Sequence, residues 1–323
     1  MTEQPSSLGH PPGLRIATRA SPLALWQAER VRAELIRHYS ELSVELVTFT
    51  TQGDRELDRR LMDIGGKGLF IKELERALQD NAVDLAVHSM KDVPAQLPAG
   101  LTIAAVLTSA DPRDALVSRR YARLEDLPQG ARVGTSSLRR QCQLLHLRPD
   151  LQIGLLRGNV QTRLSRLDEG RFDAIILAAA GLDRLGLADR ITDRLAAEIM
   201  LPAAGQGVVG VECQQNNTVV LQKIAPLNDP LAAQRIRAER ALTTRLGGNC
   251  HVPVAGFAEV TGHQIRLRGL VGQPDGSQLI QGEISGSTQD AEALGRALAT
   301  ELLDRGARQI LQAMGAHPME PGE

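Results

Sequence analysis

The stretch VHSMKDVP sets His88, Ser89, Lys91 and Asp92 at the end of the strand-like run Val83 to Val87. Two readings of the Lys91–Asp92 pair stand. It is an ordinary surface ion pair, worth little energetically, or Asp92 is a lone carboxylate facing a positive pocket. In the second case it is held ionised and can stabilise a cationic intermediate or exchange a proton. His88 reads as a residue satisfied by a local hydrogen bond.

Between Arg139 and Arg166 stand six arginines (139, 140, 148, 157, 163 and 166) and one acid, Asp150. Such a run is either a solvated helix face or a set of ligand donors, and position bears on the choice. VGTSSLRR passes from a strand end into a helix start, which places Thr135, Ser136 and Ser137 beside free backbone N–H groups. That arrangement is receptive to anions, and Arg139 and Arg140 on the first turn add bidentate carboxylate donors. LLRGN repeats the pattern with Arg157, Gly158 and Asn159, and Thr18, Arg19 and Ser21 supply an earlier junction. Ligands collect at the carboxyl ends of parallel strands. Three such junctions therefore point to a ligand with several carboxylates or phosphates.

Cys142 falls in a helical segment and Cys213 in a strand-like one, and both read as small buried hydrophobes. Cys250 differs, because GGNCHVP is a glycine-rich turn in which backbone can approach a ligand. It is either a structural thiol or a reactive one; neighbours in an extended loop point apart, which weighs against a Cys250–His251 pair. Gly205 to Gly210 match GxGxxG, but the glycines precede the strand-like VVGVEC instead of following a strand. The order is reversed for a dinucleotide fingerprint, and the stretch reads as a hinge returning the chain to its first unit.

Strand-like and helix-like segments alternate to position these residues. LRIATR (14–19), VELVTFTT (44–51), VDLAVHS (83–89), ALVS (115–118), ARVGTSS (131–137), LQIGLLRG (151–158) and FDAIILAAAG (172–181) read as strands. Helices are expected from Ser21-Pro22 onward and over 68–78, 138–147 and 160–168. This βα alternation implies α/β lobes with parallel sheets covered by helices. The expected division is a disordered tail at 1–13, a first α/β lobe at 14–108 with 207–226, a second at 109–206, a smaller α+β unit at 227–315 and a tail at 316–323. The third unit should hold a helix at 230–246, three antiparallel strands turning at Pro274-Asp275-Gly276, and a long helix at 288–314. The polar, glycine-punctuated segment between Thr50 and Gly68 reads as a lid.

Composition narrows the function classes. A net charge of −1 gives no global bias toward nucleic acid or membrane, and aromatic residues at 2% leave few platforms for stacking bases. No apolar stretch reaches membrane-spanning length. Residues 1–13 carry neither a basic start nor an apolar run, unlike a signal peptide. Three scattered cysteines without a CxxC pair fit a reducing cytoplasm and show no metal-ligand cluster.

The motifs RIATRASPLALWQA, GGKGLF, VHSMKDVP, DPRDALVS, GTSSLRRQCQL, LRGNVQTRL, DAIILAAAGLDRLG, LPAAGQGVVGVEC and the cysteine loop occur in that order. Together they closely resemble the porphobilinogen deaminase (hydroxymethylbilane synthase) family. The resemblance implies two lobes like those of type II periplasmic binding proteins plus a third domain, in a cytoplasmic monomeric transferase. It implies head-to-tail condensation of four porphobilinogen molecules with loss of ammonia, on a covalent dipyrromethane primer, followed by hydrolytic release of the linear tetrapyrrole. Residue by residue, it makes Cys250 the thioether attachment point and Asp92 the catalytic aspartate. Lys91, Thr135, Ser136, Ser137, Arg139, Arg140 and Arg163 fall at or beside cofactor-holding positions, and Arg19, Ser21, Arg157 and Arg184 match substrate-carboxylate positions. Lys67 lies in the lid, Asp63 stands where relatives often have lysine, and Asn249 where glycine is common; the implied chemistry needs no metal. An organic-polyanion-binding protein and a transferase with Cys250 as turnover nucleophile are the alternatives.

Overall fold

The computed structural model describes residues 13–51, 53, 71–248 and 252–319. The chain opens with β1 (Leu14–Arg19), α1 (Pro22–His38), β2 (Val44–Phe49), α2 (Lys72–Gln79), β3 (Leu85–Ser89) and β4 (Leu101–Val106). It continues with β5 (Asp114–Ser118), β6 (Arg132–Gly134), α3 (Leu138–Leu147), β7 (Gln152–Gly154), α4 (Val160–Asp168), β8 (Ala174–Ala178), α5 (Ala179–Arg184) and β9 (Asp193–Leu195). Then follow β10 (Val209–Gln214), α6 (Thr218–Ile224), α7 (Pro230–Arg245), β11 (Val254–Thr261), β12 (Gln264–Gly272), β13 (Leu279–Ser287), α8 (Ala291–Leu302) and α9 (Arg308–Ala313).

Two five-stranded sheets, β2-β1-β3-β10-β4 and β7-β6-β8-β5-β9, form the lobes, and β11-β12-β13 is a separate antiparallel sheet. The lobes are mixed, not parallel as the alternation suggested. β10 arrives from the second lobe and inserts antiparallel between β3 and β4. β5 arrives from the first and inserts antiparallel between β8 and β9. An apolar run such as VVGVEC is buried on both faces either way, so apolarity alone does not reveal strand direction.

Local chemistry sets the helix starts. Ser21 caps α1, with Pro22 in the first turn, and Ala24, Ala28, Val31 and Leu35 form its buried stripe. Ala28, Val31 and Leu35 pack with Leu14, Ile16, Leu85, Val87, Val209 and Val211 in the first lobe's core. FDAIILAAAG is half strand and half helix, because the chain turns from β8 into α5 between Ala178 and Ala179. The expected 288–314 helix breaks at Gly306, whose φ of 109° is non-helical, between α8 and α9. Among the described residues no helix is long and apolar enough to cross a membrane. Residues 1–12 of the expected tail, residues 52 and 54–70 with Asp63 and Lys67 of the expected lid, and Asn249, Cys250 and His251 lie outside the described residues.

Candidate active site

A cleft of about 760 Å³ is lined by residues from both lobes and from the third unit. All three expected junctions meet in it: Arg19 to Ala24 at the start of α1, Ser136 to Arg140 at α3, and Arg157 to Arg163 at α4. Each helix start carries a side-chain cap. Ser21 accepts from Ala24 N at 3.4 Å, Ser137 from Arg140 N at 3.4 Å and Asn159 from Thr162 N at 2.9 Å. The remaining first-turn N–H groups and the helix dipoles favour anions there.

Asp92 ends a single 3₁₀ turn, Met90–Asp92, that follows β3. Met90 N donates to Val208 O at 2.9 Å, tying the turn to the segment that leads into β10. Gly205 lies against the same turn with φ of 75°. A Cβ on it would sit 2.7 Å from Met90 Cβ and 2.9 Å from Lys91 N, so only glycine allows the approach. The GxGxxG stretch thus serves as the bed of the Met90–Asp92 turn. Asp92 is the only carboxylate among the described residues lining the cleft, and no described residue donates a hydrogen bond to it. Burial pushes the Lys91 ammonium down to about 8; Arg140 adds to the push and Asp92 opposes it. Burial, and then Arg140, likewise push Arg163 down to about 10, again against the attraction of Asp92.

Arg139 and Arg140 line the cleft but already hold a protein carboxylate. Arg139 contacts Asp114 through Nη1 at 2.8 Å and Nη2 at 3.2 Å, and also donates to Leu201 O at 2.6 Å. Arg140 donates to Asp114 Oδ1 through Nε and Nη2, and to Ile176 O at 3.0 Å. Gln206 Nε2 adds a donor to the same Oδ1 at 3.1 Å. Asp114 is fully buried. Two guanidiniums on one carboxylate leave a net positive charge facing the cleft.

Other expected residues are placed unevenly. Arg157 lines the cleft, is 3% exposed, and donates to Gly53 O at 3.5 Å. Arg163 Nε donates to Gly158 O at 2.8 Å. Thr135 is buried behind the lining, accepting from Ser137 N at 3.1 Å, while Ser136 donates to Leu156 O at 2.5 Å. Arg184 is outside the lining; it donates to Gly207 O at 2.7 Å and lies 5.4 Å over the Trp26 ring. His88 does find a protein partner, Glu212 Oε2 at 2.8 Å, but on β10 and not nearby in sequence. Cys250 and Lys67 lie outside the described residues, whereas Gly247, Gly248 and Val252, which flank Cys250, line the cleft. Burial pushes the Cys142 and Cys213 thiols up to about 12 and about 11, so both are inert.

Sequence reading missed Asp114, Gln206, Glu212 and Arg240. Only Asp114 left a signal: an acid at the head of the apolar run ALVS needs a cationic partner once buried.

Residues 14–222 match the family model described as porphobilinogen deaminase, dipyromethane cofactor binding domain. Residues 233–304 match the one described as porphobilinogen deaminase, C-terminal domain. Among solved structures, a periplasmic substrate-binding protein of an ABC transporter from Coxiella burnetii is 15% identical, with a TM-score of 0.43 over 68% of this chain and 94% of that one. A nutrient-binding protein from Burkholderia cenocepacia, bound to methionine, is 16% identical, with a TM-score of 0.41 over 65% and 90%.

Proposed function

Because the chain belongs to the porphobilinogen deaminase family, we propose that Asp92 is its catalytic carboxylate and Cys250 the attachment point of its dipyrromethane. Family membership carries the reaction itself, hydroxymethylbilane synthesis in tetrapyrrole biosynthesis, by a transferase that condenses porphobilinogen units onto a dipyrromethane cofactor. The observation that carries the residue assignment is convergence. Asp92 shares one cleft with Lys91, Arg139, Arg140, Arg157, Arg163 and three helix N-termini, and the flanks of Cys250 line the same cleft.

The donor set fits the group. Pyrroles of this class carry acetate and propionate side chains, and the cleft offers cations and first-turn N–H groups in place of hydrophobic walls alone. Lys91, Ser137, Arg139, Arg140 and Arg163 would hold the cofactor's carboxylates, with Thr135 and Ser136 shaping that junction. Arg19, Ser21 and Arg157 would hold those of incoming substrate. Arg184 would act from behind the cleft through the lobe contact it makes. When bound, the dipyrromethane supplies the pyrrole carbon at which the chain is extended.

Loss of ammonia from porphobilinogen leaves a cationic azafulvene. The Asp92 carboxylate stabilises that charge and accepts a hydrogen bond from the pyrrole N–H, in a cleft where its electrostatic effect exceeds that in water. The family resemblance favours a monomer, and three cysteines without a pairing pattern support a cytoplasmic location.

Intact-mass measurement tests the reading. The purified protein should exceed its polypeptide mass by one dipyrromethane, and Cys250→Ser should remove the excess. Asp92→Ala should keep the adduct and lose most turnover. An unmodified, fully active protein would refute the attachment, and wild-type turnover in Asp92→Ala would refute the catalytic role.

A further inference from the structure

The segment after Asp92 has no ladder of its own. Val93 to Pro98 contain two prolines and lie outside any helix or strand, so their carbonyls need donors from elsewhere. One side chain supplies three of them. Arg240 of α7 donates through Nη1 to Val93 O at 3.4 Å, and through Nη2 to Pro94 O at 2.9 Å and Ala95 O at 3.0 Å. No described carboxylate forms an ion pair with Arg240, and burial lowers its pKa against the weaker pull of Glu212. A desolvated cation is thus used on three consecutive neutral carbonyls. Among side chains only the guanidinium fork presents enough fixed N–H groups to take all three at once.

The helix that carries Arg240 also leads to the cysteine loop. Thr243 and Thr244 of that helix, then Gly247 and Gly248 beyond its end, line the cleft, and Gly248 N donates to Thr243 O at 2.7 Å. On the other side, the Met90–Asp92 turn is fixed by Val208 O and by the close approach of Gly205. Arg240 holds the Val93–Ala95 segment by which the chain leaves the turn.

Resting on the reading of Asp92 as the catalytic carboxylate, we propose that Arg240 is a positioning residue that fixes Asp92 relative to the helix bearing the cofactor loop. It acts through the Val93–Ala95 backbone. Its removal lets the Asp92 turn shift while the cofactor stays attached and substrate carboxylates keep their partners.

The test compares the holoenzyme with Arg240→Ala, Arg240→Lys, Asp92→Ala and the double variant Asp92→Ala/Arg240→Ala, each first checked for the cofactor adduct by intact mass. Arg240→Ala should keep the adduct and lose kcat on the order of 10²-fold, as an ångström-scale misplacement does, with KM nearly unchanged. Arg240→Lys, which keeps the charge and guards against a folding loss, should also lose kcat, since a single ammonium nitrogen cannot occupy the positions of both Nη1 and Nη2. Added guanidinium ion should restore part of the kcat of Arg240→Ala and none of that of Asp92→Ala. The double variant should be no slower than Asp92→Ala alone. Unchanged kcat in adduct-bearing Arg240→Ala, or a loss confined to KM, beside an inactive Asp92→Ala would overturn the positioning role alone. Wild-type turnover in Asp92→Ala would overturn the reading on which it rests.

Discussion

Arg140 reaches Asp114 through Nε at 2.9 Å and Nη2 at 2.7 Å, with both side chains sealed from solvent. Burial alone would push the Asp114 carboxyl up, but Arg139 and Arg140 overcome it and hold the group well below the usual carboxylate range. The pair of arginines that the sequence offered as ligand donors is therefore first a structural unit, aimed by a carboxylate behind the cleft wall. Asp114→Asn keeps the shape and removes the charge, leaving two guanidiniums uncompensated. The expected cost is about 3–5 kcal/mol in chemical denaturation, with the protein recovered largely without its cofactor mass. Wild-type stability and a full adduct in this variant would show that the arginines aim themselves.

The cleft gathers Arg19, Lys91, Arg139, Arg140, Arg157 and Arg163 around a single carboxylate among the described lining residues, and burial first, with repulsion from Arg140 adding to it, drives Lys91 and Arg163 toward their neutral forms. Such mutual repulsion destabilises the empty cleft, and bound carboxylates relieve it. Cys250→Ser, which cannot carry the covalent group, should therefore melt roughly 5–10 °C below the holoenzyme. Added salt should narrow the gap by screening the cations. Scanning calorimetry at low and high ionic strength checks both points; equal melting temperatures would mean that the cations are already balanced.

How much of this was legible follows from where each partner sits in the chain. The anion junctions were readable because Ser21, Ser137 and Asn159 are caps next to the helices they start, and the arginines lie within a turn of them. Asp114 was not assigned, because its partners are 25 and 26 residues away across a sheet. Arg240 was invisible for the same reason: an arginine on a helix looks solvated until the fold brings the Val93–Ala95 carbonyls to it, more than a hundred residues back. Strand β4 also escaped, since LTIAAV lies between proline-rich and polar stretches with no helix to mark a βα unit. Strand direction could not be read at all, because β5 and β10 acquire it from the chain's passages between the lobes.

A second buried cluster lies behind the Met90–Asp92 turn. Glu75 of α2 is 7% exposed and Glu212 of β10 is fully buried beside His88, and Glu75 Oε1 and Glu212 Oε1 find no hydrogen-bond partner. Burial raises the Glu75 carboxyl from 4.5 to about 7, Glu212 adds to the rise, and His88 and Lys72 oppose it. The folded protein therefore binds a proton that the unfolded chain releases. Its stabilising effect is complete below about 4.5 and is lost as the pH rises through about 7. Glu75→Gln keeps the neutral form at every pH. Relative to wild type it should gain roughly 2–3 kcal/mol between pH 5 and pH 8.5, measured by urea denaturation at each pH. Parallel pH profiles would place the proton elsewhere.

Trp26 is the chain's only tryptophan, and it sits on α1 of the first lobe beneath the Arg184 guanidinium of α5 in the second, 5.4 Å from the ring centroid. Gly181 and Leu23 approach one helix turn away, where a Cβ on the glycine would lie 3.5 Å from Leu23 Cδ2. Arg184 also holds Gly207 O, in the segment that returns to the first lobe. It therefore bridges the lobes at three points of support: its own helix, the return segment and α1. A cation–π contact at a half-exposed ring is worth about 0.5–1 kcal/mol, enough to bias the lobe contact without being required for folding. Arg184→Gln should shift Trp26 emission to the red and raise its quenching by acrylamide, with the cofactor adduct retained. Porphobilinogen added to the wild type should move the emission in the same direction if elongation parts the lobes at this contact. An Arg184→Gln spectrum identical to wild type would show that the guanidinium does not cover the ring in solution.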